Sequence, residues 1–527
     1  MKQKLLLSFG LLALLLPLAA AGAGAGSSVA ADAVMNRDFA GLPKLIVQHA
    51  DVNARQNDGS TALHWAAHWD NVEAADMLIK AGADPAASNR LGATPLFIAA
   101  ESGSPAMVSK LLAAGVDPNA PFLSNGETAL MVASRSGDIE KVKLLLDAKA
   151  NLEAKETLRG TTALIWAAEQ NHADVVTLLL SRGANPKAAS KVSAGAGRRG
   201  GDDDAEDPGS APAASANAKG GVTALMEATR ERGLDTIKAL IEGGAPINQQ
   251  SGNGTTALIV ALQNGDAATA KALIERGADV KIANAKGWTP LFLAEKARTR
   301  ETGTVPNPVI DNAALLDVIH LIVEKGADVN ARIKAGSELY GATSWLKDSG
   351  ATAFLRASYC ADLEVMKYLL AHGADPKITT DDGTTALMAL SGVGYGDGFT
   401  KDFGTPDETF EALKILVDSG IPINAANKDH VTALHGAAHK NFVRGIQYLV
   451  DHGADLTAVS QFTAGTFIRT GSKGQSVLDW ATGVMVNMQS SSYKTEAVEL
   501  VTRLMKEHGI PVERLTTTKG GLNAATP

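Results

Sequence analysis

The chain has 527 residues, more than one hydrophobic core usually organises, which leaves several domains or a repeat array. Hydrophobic residues make up 45% of it but aromatics only 5%, so the core must be assembled from Ala, Leu, Ile and Val in thin layers, as stacked helices allow. A formal net charge of −8 argues against nucleic acid as a partner.

In chain order, the first element is an address. Met1 to Lys4 is basic, Leu5 to Leu16 is an apolar run broken by Ser8 and Gly10, and Ala19 to Ala25 offers small-x-small cleavage sites. Residues 1–25 read as a secretory signal peptide, and the mature chain is expected to begin between Gly22 and Asp32. The run is short for a membrane span, which needs about 20 apolar residues. No cysteine near the cleavage region could carry a lipid, so no membrane insertion is expected after cleavage. Cys360 is the sole cysteine, which rules out an internal disulfide and leaves packing to hold the exported chain together. It stands near the end of a helix, where an exposed side chain is expected.

A period follows. Gly59, Gly92, Gly126, Gly160, Gly221, Gly254, Gly287, Gly350, Gly383, His430 and Gly474 open similar segments, 33 or 34 residues apart where nothing is inserted. Two residues after each opener stands a Thr, or Ser476 in the last, which reads as a helix N-cap; Pro95 and Pro290 then fill the first helical position. Leu four places after the opener and Ala seven places after it share one helical face. A second helix ends at a glycine, Gly82, Gly115 or Gly183 for example, with Lys149 the only substitute.

The segments Gly59-Ser-Thr-Ala-Leu-His-Trp-Ala-Ala67, Gly82-Ala-Asp-Pro85 and Gly92-Ala-Thr-Pro-Leu-Phe-Ile-Ala-Ala100 resemble the ankyrin repeat, and the chain is similar to secreted or periplasmic bacterial ankyrin-repeat proteins. The resemblance implies an all-α solenoid of about eleven helix-pair repeats with hairpin-like turns between them. Residues 28–58 would form an N-terminal capping repeat, 59–190 repeats one to four, and 221–513 repeats five to eleven. Residues 191–220, with the acidic run Asp202 to Asp207, read as a disordered linker, and 514–527 as a flexible tail. Further insertions fall between the helices of repeats seven, nine and eleven and on the hairpin side of repeats seven and ten; the loop Ile333 to Ser349 is the one expected to be ordered. The motif histidine survives only as His64 and His435, so polar ties between repeats should be fewer than the family pattern provides, and apolar packing should compensate.

The resemblance also places a recognition surface. Trp69, Trp288 and Tyr359 fall on it, with His68 and His439 as further surface residues at the ends of first helices, whereas Trp65, Trp166 and Trp480 should be core. His64 with His68, and His435 with His439, have the spacing of a zinc pair, but neither is followed by the glutamate of a catalytic site and no further ligands are suitably spaced, so no metal or cofactor is expected. Gly392 to Gly398 follows a helix and lacks the Lys-Ser/Thr of a nucleotide loop, which makes it a flexible interhelical loop. The expected function is a monomeric, non-catalytic, exported scaffold, periplasmic or extracellular, that binds a protein partner through its concave helix and hairpin face. The rival is a small-ligand or enzymatic site built from the insertions of repeats seven to eleven around Cys360.

Overall fold

A computed structural model describes residues 28–122, 125–193, 218–299, 310–334, 346–395, 402–461, 474–483, 485–486, 489–490 and 494–512. The signal segment, the acidic run, most of the Ile333 to Ser349 loop and the tail lie outside these residues. The chain divides into two compact units, Met1–Ala133 with Asp138–Asn151, and Ser134–Gly137 with Leu152–Pro527.

The first unit opens with the capping pair α1 (Val29–Met35) and α2 (Leu42–Val47). Repeats one and two follow as α3 (Ala62–His68) with α4 (Val72–Lys80) and α5 (Pro95–Ser102) with α6 (Pro105–Ala113). In the third repeat, α7 (Ala129–Ser136) crosses the unit boundary and α8 (Ile139–Asp147) returns to the first unit. The second unit continues with α9 (Ala163–Glu169), α10 (Ala173–Ser181), α11 (Ala224–Arg230), α12 (Leu234–Glu242), α13 (Ala257–Gln263) and α14 (Ala267–Glu275). Repeats seven and eight are α15 (Pro290–Arg298), α16 (Asn312–Glu324), α17 (Ala353–Cys360) and α18 (Leu363–Ala371). The last three comprise α19 (Ala386–Ser391), α20 (Pro406–Asp418), α21 (Ala433–Lys440), α22 (Val443–Asp451), α23 (Val477–Thr482) and α24 (Thr495–Glu507). Two minimal antiparallel ladders, Val459–Ser460 with Gln475–Ser476 and Met485–Val486 with Gln489–Ser490, are the only paired strands among the described residues.

Each first helix begins where the sequence places its cap. The hydroxyls of Thr94, Thr223, Thr256, Thr289, Thr352 and Thr385 accept from the backbone N–H three residues on, which satisfies one orphan donor of the first turn. Thr162 caps by position without such a bond. The periodic Leu and Ala side chains, Leu63 and Ala66 or Leu258 and Ala261, are buried, and within each unit successive first helices pack together, as do most successive second helices. A buried Leu contributes roughly 2 to 3 kcal/mol to such a layer.

The opener glycines have a cause beyond the turn. At Gly287 the backbone adopts φ 76°, and a Cβ there would lie 2.7 Å from the amide nitrogen of Lys334 in the next hairpin. That amide donates to the Lys286 carbonyl at 2.9 Å. Equivalent bonds join Arg90 to Asp58, Lys191 to Arg159, Gly252 to Gly220, Ala285 to Asn253 and Lys428 to Asp382.

These main-chain bonds tie the hairpins without any help from the motif histidine. A second set of ties was unforeseen in the sequence. Asn53, Asn119, Asn248, Asn330 and Asn424 each donate to the carbonyl of the next repeat's stop residue and accept an N–H two residues beyond it, as Asn330 does with Gly373 and Asp375 at 3.0 and 2.8 Å. Each stands at a fixed place after the preceding helix stop, so the signal was periodic. The amide suits this place because it carries a donor and an acceptor on separate atoms of one short side chain.

Candidate functional site

The hairpins and the C-terminal ends of the first helices are where a repeat can face outward without exposing its Leu and Ala layer. In the first unit this position holds His68 and Trp69, both half-buried. The Trp69 indole donates to the Met35 carbonyl at 3.2 Å, stacks near Trp65, and carries the Arg37 guanidinium 3.8 Å above its ring. His68 sits edge-on to Trp69 with ring centroids 4.5 Å apart, and burial, with the Arg37 charge, pushes its pKa down. Trp69 is therefore a fixed aromatic surface with one face already covered by a cation.

In the second unit the same places hold Arg135, Glu169 with Gln170, Arg230 with Glu231, and Gln263 with Asn264, all exposed or half-exposed. Arg135 lies over the Trp166 ring at 4.9 Å, and Arg159 of the next hairpin pairs with Glu169 at 3.3 Å. Between the hairpins around 218–222 and 251–255, above α11 and α13, lies an open cavity of about 310 Å³ whose lining includes Met226, Arg230, Asn253 and Gln263.

From Ala297 onward the equivalent positions are largely closed, which corrects three sequence expectations. Tyr359 is only 3% exposed, and its hydroxyl donates to the Gly394 carbonyl at 2.9 Å. His439 is 2% exposed, with Nε2 3.0 Å from the Tyr395 carbonyl and its ring against Trp480. Cys360 is buried as well, and its carbonyl accepts from the Phe403 amide at 2.7 Å. The physical reason is common to all three: the inserted segments turn back over the ends of these helices. Gly392 to Tyr395 is thus a packed turn where a flexible loop was expected, while 396–401 falls outside the described residues. Trp288 stays half-buried, packed with Leu346 against a cluster containing Phe292, Tyr359 and Cys360, with Lys286 and Lys296 5.0 and 4.5 Å from its ring. Trp65, Trp166 and Trp480 are buried, as expected.

Beneath the covered region runs a buried ionic network that the sequence reading missed. Glu295 on α15 is fully buried; Oε2 accepts from Arg356 Nε of α17 at 3.0 Å, and Arg356 also donates to Thr299 Oγ1 at 3.0 Å. One turn further along α15, Arg298 pairs with buried Asp362 at 2.7 Å and with Glu364 at 3.0 Å, and donates to the Asn312 carbonyl. Burial pushes the Glu295 carboxyl up to about 7, against the pull of the Arg356 charge. In most other repeats the place of Glu295 holds small residues such as Ala67 and Ala168, and that of Arg356 holds apolar ones such as Trp65, Val132 or Val260, with Glu227 the exception. Charge at those two inward places was the available signal. The network joins repeats seven and eight; all its members answer one another, so it reads as internal architecture.

The two motif histidines are structural. His64 Nδ1 accepts from the Thr61 amide at 3.1 Å while Nε2 meets the Ala93 carbonyl at 2.9 Å, so both nitrogens are engaged. His435 Nδ1 accepts likewise from Thr432 at 3.2 Å. Burial holds both pKa values down to about 4, against an ordinary 6.5. Because the folded values lie below the unfolded one, the unfolded chain takes up these protons first as pH falls. Stability from this source is full above about 6.5 and declines between 6.5 and 4. From about pH 7 to about pH 5 the urea midpoint of the wild-type chain should therefore fall by more than that of a His64→Gln/His435→Gln chain, since the opposing contribution of Glu295 is common to both. Equal changes in the two chains would show that the two imidazoles are already solvated in the fold. Among the described residues no group of three or more His, Cys, Asp or Glu is placed to hold a metal, and no helix is long and apolar enough to cross a membrane.

A three-copy model of ankyrin repeats matches residues 30–122, 110–190 and 225–333, a many-copy model residues 407–461, and a single-repeat model residues 349–381. The chain belongs to the ankyrin-repeat family. It is 26% identical over 150 residues to alpha-latrocrustotoxin-Lt1a of Latrodectus tredecimguttatus, covering 28% of this chain and 9% of the toxin. It is 52% identical over 48 residues to neurogenic locus notch homolog protein 1 of Mus musculus, covering 9% of this chain and 2% of that protein. The matches thus span less than a tenth of these relatives. Among solved structures, the human ASB11 ankyrin repeat domain is 24% identical with a TM-score of 0.38, covering 47% of this chain and 97% of that domain. The ankyrin repeat domain of Bcl-3 is 26% identical with a TM-score of 0.38, covering 50% of this chain and all of that domain.

Proposed function

We propose that the chain is an exported, non-catalytic scaffold that works as a monomer and binds a partner protein through its hairpin and first-helix face. The family generally serves protein–protein interaction. The observation that carries the reading here is the contrast within the second unit: first-helix ends are open at Arg135, Glu169, Arg230 and Gln263 and covered at Tyr359, Val393 and His439. The open stretch is the docking face, and the covered stretch is a packed extension of the core. Mechanistically the stack acts by preorganisation: hairpins tied by main-chain hydrogen bonds hold their side chains at fixed spacing, so little ordering entropy is lost on docking. Export rests on the basic start and apolar run of residues 1–25.

The test uses a partner recovered by affinity capture from the exported fraction, titrated calorimetrically against variants. Arg230→Ala and Gln263→Ala, alone or together, should cost roughly 1 to 3 kcal/mol of binding. Tyr448→Ala, on the second-helix side, should leave binding unchanged. The reverse pattern would place the partner on the other face and contradict the proposal.

A further inference from the structure

The tips of the hairpins before α9 and α11 carry two apolar side chains that nothing in the fold requires outside. Leu158 is 77% exposed and Val192 58%, the former among the most exposed large hydrophobic residues described. A flexible loop could hide such residues part of the time, but these tips are held. The buried Glu156 carboxylate accepts from the amides of Leu158, Arg159 and Thr161 at 2.7 to 2.9 Å and from the Thr161 hydroxyl at 2.8 Å. Although burial raises its pKa, these bonds bring the carboxyl below its ordinary range. The next tip is tied to the first by Lys191 N–H to the Arg159 carbonyl at 2.7 Å, and it is braced by the antiparallel pair Ser193 and Lys219. Val192 lies directly over the following hairpin, where a Cβ on Gly252 would meet its Cγ1 at 2.9 Å. Leu158 and Val192 are thus held outward on neighbouring tied turns, where a partner's apolar side chains could cover them together.

Their surroundings are cationic. Lys155, Arg159, Lys191 and Lys219 are all exposed on the same tips. Lys155 and Lys191 bond to the carbonyls of Ala189 and Thr157, at 3.4 and 2.7 Å, and a carbonyl orients an ammonium without neutralising it. Among the described residues, the carboxylates that act on Arg159 are Glu169, Glu156 and Glu227, and they are already committed to Arg159 itself, to backbone amides and to Arg230. The described residues of these tips therefore set four exposed cations around two exposed aliphatic side chains.

We infer that this tip surface docks an acidic peptide segment carrying aliphatic side chains, whose carboxylates meet the lysines while its apolar residues cover Leu158 and Val192. The inference rests on the protein-binding function proposed above and names the chemistry of the partner. Charge complementarity favours an acidic partner, and the neighbouring cavity lined by Arg230, Asn253 and Gln263 offers donors and acceptors to an extended backbone. A polyphosphate chain would exploit the lysines but would leave the aliphatic tips bare, and an anionic membrane would leave the polar cavity unused.

The probe is a fluorescein-labelled peptide alternating Asp or Glu with Leu, titrated against the full chain by anisotropy. Binding should weaken about tenfold in Leu158→Ser/Val192→Ser and by a similar factor in Lys155→Glu/Lys191→Glu, with melting curves confirming that both variants fold. It should also weaken as salt is raised from about 50 to about 300 mM. A Lys/Leu peptide of the same pattern should bind at least about tenfold less tightly. Equal binding of both peptides, or wild-type affinity in both variants, would overturn the inference. So would polyphosphate or anionic vesicles that displace the peptide and bind the Leu158→Ser/Val192→Ser variant unchanged. The two proposals fail separately. If the captured partner binds the tip variants normally yet loses affinity to Arg230→Ala, the tip inference falls and the scaffold reading stands; if it ignores both sets, both fall.

Discussion

Arg356→Ala is expected to lower the unfolding free energy by about 3 to 5 kcal/mol, because it leaves the Glu295 carboxyl fully buried without its cation. The same change strips a donor from Thr299, itself buried. With Arg356 absent, burial and the Asp362 charge push the carboxyl up against only the Thr299 hydrogen bond, so it folds with a proton bound. Its folded pKa then lies above the wild-type value of about 7, so the deficit against the wild-type chain should deepen as pH rises above about 7, where the wild-type carboxyl ionises. Glu295→Gln should cost less, since an amide keeps partners for Thr299 and Arg356. Replacing the pair with Leu at 295 and Met at 356 should recover most of the loss, because two apolar side chains need no mutual compensation. Urea unfolding of the three variants at two pH values checks all of this. A loss below about 1 kcal/mol for Arg356→Ala would mean that water reaches the site and that the network is peripheral.

Tyr359→Ala should cost a comparable amount, about 3 to 5 kcal/mol, through a cavity in the cluster it shares with Phe292, Leu355 and Cys360. Tyr359→Phe should cost only about 1 kcal/mol, for the hydrogen bond to Gly394. Thermal denaturation followed by circular dichroism separates the two. If Tyr359→Ala melts like the wild-type chain, the turn at Gly394 does not cover it in solution and the residue returns to the surface where its place in the repeat suggested it belonged.

Tyr359 also shows where the sequence stopped being legible. Caps, inward Leu and Ala, and helix stops are set by neighbours within one repeat, so their spacing reveals them directly. Tyr359 occupies the place of exposed Glu101 and Arg135, and within its own repeat nothing distinguishes it. What buries it is Gly394, in an insertion of another repeat that has no period and therefore no register from which its landing place could be read. The same holds for Phe403 against Cys360 and Tyr395 against His439. The asparagine clamps and the Glu295–Arg356 pair differ, since both stood at fixed repeat positions. The first was a regularity among polar residues at turns, where an amide is unremarkable, and the second was a departure from apolar at two inward places. Of the site, Trp69 and Trp288 keep accessible surface as their repeat positions implied, whereas the exposed tips Leu158 and Val192 lie outside the periodic positions altogether.

The measurement that bears most directly on the central claim is hydrogen exchange of the full chain with and without the captured partner. The account predicts slowed exchange in the hairpins and first-helix ends of the open stretch, from Arg159 through Lys191 and Arg230 to Asn264, with the second helices α10, α12 and α14 unchanged. Protection confined to those second helices, or to the covered turns at Leu346, Gly394 and Phe403, would contradict it.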